Sequence, residues 1–214
     1  MRVAVALAGC LLAAGCSVLA PLPNRSRFFT LAPVPEAQSR RADAPRPEAG
    51  TRILYGLGPV TVAAFLDRNE VATRVSPTEV RYSPIDRWAE PLPAAITAVM
   101  LQNLSALLDT DRIVTYPWVG TLAIDYQVEI SVLRFETDDT GVSQLTARWA
   151  VRDVRNSAYL IVRESTFTHA GPAANAVAST SDLSAALGDL SREIATALHA
   201  LPLPASAPPH RQRK

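Results

Sequence analysis

The most regular pattern of hydrophobic and polar positions lies in the second half of the chain. From residue 122 to residue 132 apolar side chains occupy every second position, which predicts a β-strand. Turn sequences at 138–141 and 155–157 connect this stretch to two more predicted strands, at 145–151 and 159–168. Three successive strands predict an antiparallel meander that is covered on one face and exposed to water on the other.

Two other segments show the three- and four-residue spacing of an amphipathic helix. The first begins at Pro91, a residue tolerated in the first turn of a helix, and the second extends from Val177 to Leu201. The charged positions expected of a coiled coil are sparse in the second segment, so we expect it to pack on the sheet. The apolar positions are Leu92, Ile96, Val99, Met100, Leu104, Leu107 and Leu108 in the first helix, and Leu183, Leu187, Leu190, Ile194, Leu198 and Leu201 in the second.

Shorter strands are predicted in the first half of the chain. Gly58-Pro59 interrupts one of them and indicates a bulge or an edge position, and Ser76-Pro77 lies at the turn of a short hairpin. Prolines between residues 33 and 50 indicate a flexible or polyproline loop. The predicted strands cover residues 27–31, 53–63, 71–75 and 79–83.

Together these elements predict the fold class. We expect an α+β fold in which an antiparallel or mixed β-sheet packs against two main amphipathic helices. The domain is predicted to cover residues 27–201 and to be followed by a disordered tail at 202–214. A segment of this length is sufficient for one domain with a hydrophobic core.

The N-terminus carries the features of a bacterial export signal. Arg2 precedes an apolar stretch of about a dozen residues, which is too short to span a bilayer as a helix. The stretch ends in Leu12-Ala13-Ala14-Gly15-Cys16, which resembles the lipobox of a bacterial lipoprotein, where the cysteine is acylated. Residues 1–15 are therefore predicted to be a signal peptide, Cys16 the lipid-attachment site and residues 16–26 a lipidated tether.

The residues near the cysteine bear on which site is acylated and where the protein is sent. Cys10 is the alternative site, but it would leave an apolar region of only a few residues. Ser17, directly after Cys16, resembles the default outer-membrane signal of Gram-negative lipoproteins. We therefore expect the protein on the periplasmic face of the outer membrane, held stably because several acyl chains anchor it.

Composition and charge argue against several classes of partner and chemistry. The formal net charge is +1, whereas a nucleic-acid surface needs a basic excess, so nucleic acid is not an expected partner. The chain has 2 cysteines. With Cys10 removed and Cys16 acylated, no thiol remains for a disulfide or a thiolate metal site.

The sequence offers no set of residues that predicts catalysis. It contains no zinc-protease, nucleophile-elbow or phosphate-loop motif. Paired carboxylates at Asp109 and Asp111 and at Asp138 and Asp139 fall in predicted turns, where aspartate is common for backbone reasons. We expect no enzymatic activity, no metal site and no cofactor. The three histidines, which show no metal-binding or triad arrangement, are His169, His199 and His210.

Six short sequence segments, in a fixed order, resemble a known family. They are Gly58-Pro59-Val60, Phe65-Leu66-Asp67-Arg68, Val71-Ala72-Thr73-Arg74, Arg87-Trp88-Ala89-Glu90-Pro91-Leu92, Asn103-Leu104 and Tyr116-Pro117-Trp118. In this order the set resembles the auxiliary lipoprotein family of ABC-type transport systems, which includes the lipoprotein of the Pqi lipid-transport system. The resemblance covers most of the chain from Phe28 to Leu201.

This resemblance implies a function and a set of partners. It implies a non-catalytic periplasmic lipoprotein that works with a substrate-binding protein of the mammalian-cell-entry (MCE) type and with its inner-membrane ABC permease and ATPase. The expected role is to dock a lipid-transport conduit against the outer membrane, and a ring of identical subunits is a further expectation. The alternatives are a structural or inhibitory envelope lipoprotein that binds protein or peptidoglycan, and an envelope hydrolase.

Five residues within these segments are candidate partner contacts, because arginine and tryptophan are enriched at interface hot spots. They are Asp67, Arg68, Arg74, Arg87 and Trp88. The competing interpretation is structural, with Arg68 or Arg74 paired to Asp67 or Glu70 and with Trp88, Trp118 and Trp149 packed in the core or at an edge. Asn103, in the middle of a helix, is expected to have a satisfied side-chain amide rather than a ligand.

Overall fold

The computed structural model describes residues 25–35, 53–120, 122–171 and 175–202, which contain an eight-stranded mixed sheet and two long helices. The predicted α+β fold is therefore confirmed. Cys10, Cys16, most of the proline-rich loop and all but the first residue of the predicted tail lie outside the described residues. The elements are β1 Arg27–Phe29, β2 Tyr55–Val62, β3 Glu70–Ser76, β4 Glu79–Trp88, α1 Leu92–Leu107, β5 Ile113–Thr115, β6 Tyr126–Asp138, β7 Val142–Asp153, β8 Ala158–Ala170 and α2 Ala176–His199.

The predicted meander is present as strands β6, β7 and β8. Both pairings are antiparallel, and in register Val128 lies opposite Val151, which lies opposite Ile161. Strand β8 pairs with β7 alone among the described strands, so it forms one edge of the sheet. The period of two predicted this part of the fold because β6 and β7 bury alternate side chains against the helices.

On its other side, β6 divides the sheet into two branches. The first half of β6 pairs in parallel with β2, which in turn pairs in parallel with β5. The second half pairs in parallel with β3 through Thr73 and Arg74. On its other side β3 pairs antiparallel with β4, and β4 pairs in parallel with β1. We call the two ends of the sheet the Tyr126 end and the Asp138 end, after the first and last residues of β6.

Both helices pack on the same face of the sheet. Alternate residues of β6 and β7 meet them, with Trp149 and Phe135 among the largest fully buried side chains. Ile96 and Met100 of α1 and Leu187 and Leu190 of α2 are also fully buried, as their spacing predicts. The hydrophobic core therefore lies between this face and the two helices. No helix of the described residues covers the opposite face, which we call the open face.

The segment after β1, residues 31–35, crosses the two helices, and we call it the strap. The Asn103 side chain ties it down, because Asn103 Oδ1 accepts from the Val34 backbone N–H at 2.9 Å and Asn103 Nδ2 donates to Ser191 Oγ at 2.9 Å. The Ala32 N–H donates to Ser184 Oγ at 3.1 Å. A Cβ at Gly188 would lie 2.7 Å from Val34 Cγ1, so α2 approaches the strap most closely at a glycine. The expectation of a satisfied amide at Asn103 is confirmed.

Several strand boundaries differ from the prediction, among them the start of β6 and the end of β4. The alternation from residue 122 predicts a strand there, but β6 begins at Tyr126. Ile124 lies in the loop before β6 and is buried against Gly56 of β2. Strand β4 extends to Trp88 through an irregularity, where the Asp86 N–H donates to Ser83 Oγ at 2.9 Å. The predicted bulge at Gly58-Pro59 is present, in a strand with a neighbour on each side rather than at an edge.

Candidate partner-contact surface

Four of the five candidate contact residues lie on or beside the open face of the sheet. Arg74 lies on β3 and Arg87 lies on β4. Both side chains point to the open face, because the residues that they pair with alternate along their strands with residues buried against the helices. Asp67 and Arg68 are exposed in the loop that leads from β2 to β3. The fold thus brings to one surface four residues that are separated in the sequence by strand β3 and most of strand β4.

Glu70 organises one half of this charged surface. Arg87 donates from a guanidinium nitrogen to Glu70 Oε1 at 3.2 Å, and Arg68 Nε lies 3.7 Å from Glu70 Oε2. The Arg68 guanidinium also stacks over the ring of Tyr82, 4.5 Å from its centroid. Tyr82 in turn donates its hydroxyl hydrogen to the Phe65 carbonyl at 3.0 Å. The predicted pairing of Arg68 with Glu70 is present, and these contacts fix the β2–β3 loop on β4.

Glu136 organises the other half of the surface and is the partner of Arg74. Arg74 does not pair with Asp67 or Glu70 but donates to Glu136 Oε1 from Nε at 3.2 Å and from a terminal nitrogen at 3.0 Å. Arg134 donates to the same oxygen at 2.8 Å, and the Phe135 N–H donates to Oε2 at 2.9 Å. The Glu136 side chain is fully buried, so two guanidinium groups and a backbone amide compensate its charge.

Trp88 lies on the opposite face from the charged residues. It is 5% exposed, and its ring centroid is 6.1 Å from that of Phe135 in the core. Trp149 is likewise buried, and its indole N–H donates to Ser165 Oγ at 3.2 Å. These surroundings fit the interpretation of both side chains as packing residues. A contact role for Trp88 stays a prediction.

A cavity of about 510 Å³ opens beside the Glu136 cluster, at the Asp138 end. Arg74 and Arg134 line it together with Ser76, Asp138 and Asp139. Burial disfavours the charged form of Asp138, but hydrogen bonds from Thr140 and from the Val142 amide outweigh this effect and hold the pKa of Asp138 below its usual range. Asp138 therefore caps its own turn, as predicted, and the cavity presents charges of both signs.

The part of the open face near β8 forms a second, more apolar groove of about 320 Å³. Pro59, Ala150 and Val162 line it, and the Tyr159 hydroxyl donates to Glu129 Oε2 at 3.1 Å. This hydrogen bond to a carboxylate raises the pKa of Tyr159. The sequence analysis did not single out this groove. The run of apolar residues at 159–162 was the available signal, and it was interpreted only as a strand.

His169 and His199, the histidines within the described residues, each contact one polar group. His169 Nε2 lies 2.8 Å from Asp189 Oδ2, and His199 Nε2 lies 3.3 Å from the Leu107 carbonyl oxygen. Within the described ranges, no group of three or more histidine, cysteine, aspartate or glutamate side chains could hold a metal ion. No helix in the same ranges is long and apolar enough to cross a membrane.

The structure thus defines an α+β domain with one helix-covered face and one open, charged face. The family comparison makes this class of domain specific. The chain belongs to the family of ABC-type transport auxiliary lipoprotein components, whose model matches residues 29–195.

Solved structures confirm the fold at low sequence identity. An uncharacterised protein is similar to this chain with a TM-score of 0.65 and 16% identity, covering 81% of this chain and 98% of that chain. A Xanthomonas campestris protein of family DUF330 is similar with a TM-score of 0.58 and 16% identity, covering 79% and 92% respectively. No curated protein is recognisably similar in sequence.

Proposed function

We propose that this chain is the non-catalytic, outer-membrane-anchored accessory subunit of an MCE-type ABC transporter that moves lipids between the two membranes. The observation that carries the proposal is the family match, which begins in β1 and extends through most of α2. A family of transport auxiliary lipoproteins needs an attachment to the membrane and a surface for the transporter. Both are available here, the first from the sequence and the second from the open face.

The position of β1 supports attachment at one end of the sheet. Arg27 of β1 lines the same cavity as Asp138 of the β6–β7 turn and Asn175 at the start of α2. The described chain therefore begins near the Asp138 end. If Cys16 carries the acyl chains, the nine steps to Arg25 reach at most roughly 30 Å. The Asp138 end then faces the outer membrane.

The strap gives this tether a firm attachment to the folded core. Strand β1 is only 3 residues long, but the strap that follows it is held by Asn103 and Ser184 over both helices. A pull on the tether therefore acts on the core and does not simply peel an edge strand from β4. This arrangement suits a docking subunit, which must hold a large partner at a fixed distance from its membrane.

The partners in this proposal are the MCE-type substrate-binding protein and, through it, the inner-membrane permease and ATPase. The charged open face, with its opposed arginines and carboxylates, is the proposed contact surface for Asp67, Arg68, Arg74 and Arg87. Phospholipid passes through the partner's conduit, and this chain positions the end of the conduit at the outer membrane. Assembly of several copies into a ring would surround that end.

Acylation and partner recovery test the proposal. Cys16→Ala should abolish incorporation of labelled palmitate and outer-membrane fractionation, whereas Cys10→Ala, the matched control, should change neither. Crosslinking and pull-down of the acylated protein, with the neighbouring transport system expressed, should recover the substrate-binding subunit. A Cys16→Ala protein that remains soluble yet supports full lipid transport would contradict the proposal. Recovery of peptidoglycan or an unrelated envelope protein alone would favour the structural alternative.

A further inference from the structure

The cavity at the Asp138 end lies between two turns of the sheet. One wall is the β3–β4 turn, with Ser76 and Pro77, and the other is the β6–β7 turn, with Asp138 and Asp139. The Asp139 N–H donates to the Arg74 carbonyl at 3.2 Å, so the β6–β7 turn is tied to β3. The cavity, of about 510 Å³, is therefore bounded by two turns whose relative position is fixed.

The arginine side of the cavity keeps hydrogen-bond donors for a ligand. A guanidinium group has five N–H donors. Glu136 accepts two hydrogen bonds from Arg74 and one from Arg134, so both guanidinium groups retain donors. Glu136 also supplies only one negative charge for the two arginines. This side of the cavity therefore has one positive charge in excess, beside N–H groups that suit an anion.

The opposite charge lies beyond the two guanidinium groups along β6. Asp138 and its exposed neighbour Asp139 both line the cavity. Three donors of its own turn bind Asp138 at Oδ1, which fixes the carboxylate without removing its charge. Arg74 is the register partner of Asp138, yet its guanidinium pairs with Glu136. Within the described residues, neither aspartate forms an ion pair with Arg74 or Arg134, so the two kinds of charge are adjacent but do not neutralise each other.

A ligand complementary to this cavity carries a negative and a positive group next to each other. With Glu136 included, the lining holds more negative than positive charge, which disfavours a ligand that is anionic overall. The two guanidinium groups come from different strands, and a phosphate presents oxygens in more than one plane to accept from both. A primary ammonium group has three N–H donors for the two carboxylates, whereas a quaternary ammonium has none. A phosphate diester joined to a primary ammonium group meets these conditions.

We propose that this cavity binds a phosphoethanolamine group, with the phosphate on Arg74 and Arg134 and the ammonium against Asp138 and Asp139. The inference goes beyond the proposed function and does not depend on it. The group can come from a phospholipid of the membrane or from a soluble phosphodiester. The Glu70 half of the charged surface does not line the cavity, so it stays available to a protein partner.

Titration of the acylated full-length protein with soluble probes tests the chemistry of the site. In nonionic detergent, isothermal titration calorimetry should show binding of glycerophosphoethanolamine. Inorganic phosphate, ethanolamine and glycerophosphoglycerol should each bind more weakly by on the order of tenfold, because each lacks one of the two charged groups. Equal binding of inorganic phosphate would reveal a simple anion site and overturn the inference. Failure of glycerophosphoethanolamine to bind would also overturn it.

Two pairs of variants assign the binding to the cavity. Arg134→Gln should weaken the binding of glycerophosphoethanolamine by on the order of tenfold. Arg87→Gln is its matched control, because Arg87 also pairs with a carboxylate and its side chain is 34% exposed, against 37% for Arg134. Asp139→Asn should have a similar effect, whereas Asp67→Asn, at another exposed aspartate, should have none.

The folded state of these variants is checked by circular dichroism, which should match the wild-type spectrum. Unchanged affinity in either cavity variant overturns the inference. If Arg134→Gln fails to fold, Asp139→Asn decides the outcome, because its side chain is exposed in a turn.

A photoreactive amino acid in place of Pro77, which lines the cavity and is exposed, identifies the source of the group in cells. An adduct with phosphatidylethanolamine at position 77, and not at position 67, identifies a membrane lipid. An adduct with a soluble phosphoethanolamine compound alone identifies that source instead. Adducts at position 77 with protein alone show that a partner fills the cavity and overturn the inference. Recovery of the transporter subunit is measured separately, so the inference and the proposed function can fail independently.

Discussion

Removal of the Asn103 side chain should detach the strap from the helices. In Asn103→Ala the Val34 N–H loses its acceptor in a buried position, and the bond to Ser191 is also lost. Two neutral hydrogen bonds contribute about 1 kcal/mol each, and an unsatisfied buried donor costs roughly 1–3 kcal/mol. The better helix propensity of alanine returns roughly 0.5 kcal/mol. We therefore expect the free energy of unfolding to fall by about 2.5–4.5 kcal/mol.

Urea denaturation of the purified protein measures this loss, and Thr97→Ala is the control. Thr97 lies on the same helix and is half-buried, but its hydroxyl bonds to the Pro93 carbonyl within that helix. Alanine should therefore change stability there by less than about 0.5 kcal/mol. A loss at Asn103 as small as that at Thr97 would refute the reasoning, because it would show that the strap contributes little to the folded state.

Two further predictions concern the acidic residues at the Asp138 end. Glu136→Gln should lower the free energy of unfolding by about 3 kcal/mol, because it removes the buried negative charge that two half-buried arginines share. An unchanged urea midpoint would contradict this. The pKa of Asp138 is lowered in the folded state, so its stabilising contribution is present above its usual range and is lost as pH falls through the folded value. Asp138→Asn should therefore show a smaller loss of stability below about pH 4 than wild type in thermal unfolding scans, and parallel curves would exclude the effect.

The sequence predicted the parts of the fold in which each element depends on its neighbours along the chain. The meander and the helices have periodic patterns because each buries one face, and the turns at 138–141 and 155–157 join strands that pair directly. The parallel pairings of β2 with β6 and of β1 with β4 connect residues about 60–70 positions apart. A short apolar segment carries no information about which of several strands it will join, so these branches of the sheet could not be derived.

The same distinction explains the outcome at the candidate site. Arg68 was expected to pair with Glu70, two positions away, and does so. Arg74 was the alternative arginine for that local pairing, and the branching of the sheet instead places it beside Glu136, 62 positions further along. The exposure of Tyr116 and Val119 was not predicted, because exposure depends on what the rest of the chain leaves uncovered.

The position of Asn103 has a consequence for the tether beyond its contribution to stability. An apolar residue there could pack against the strap in several registers, whereas an amide that needs both the Val34 N–H and Ser191 Oγ is satisfied in only one. Polar groups buried in this way can specify register at some cost in stability. Gly188 adds a steric restriction, because it accepts Val34 where any larger side chain would displace it. The strap is thereby held in one register over the two helices, and this gives β1 a fixed position on the folded domain.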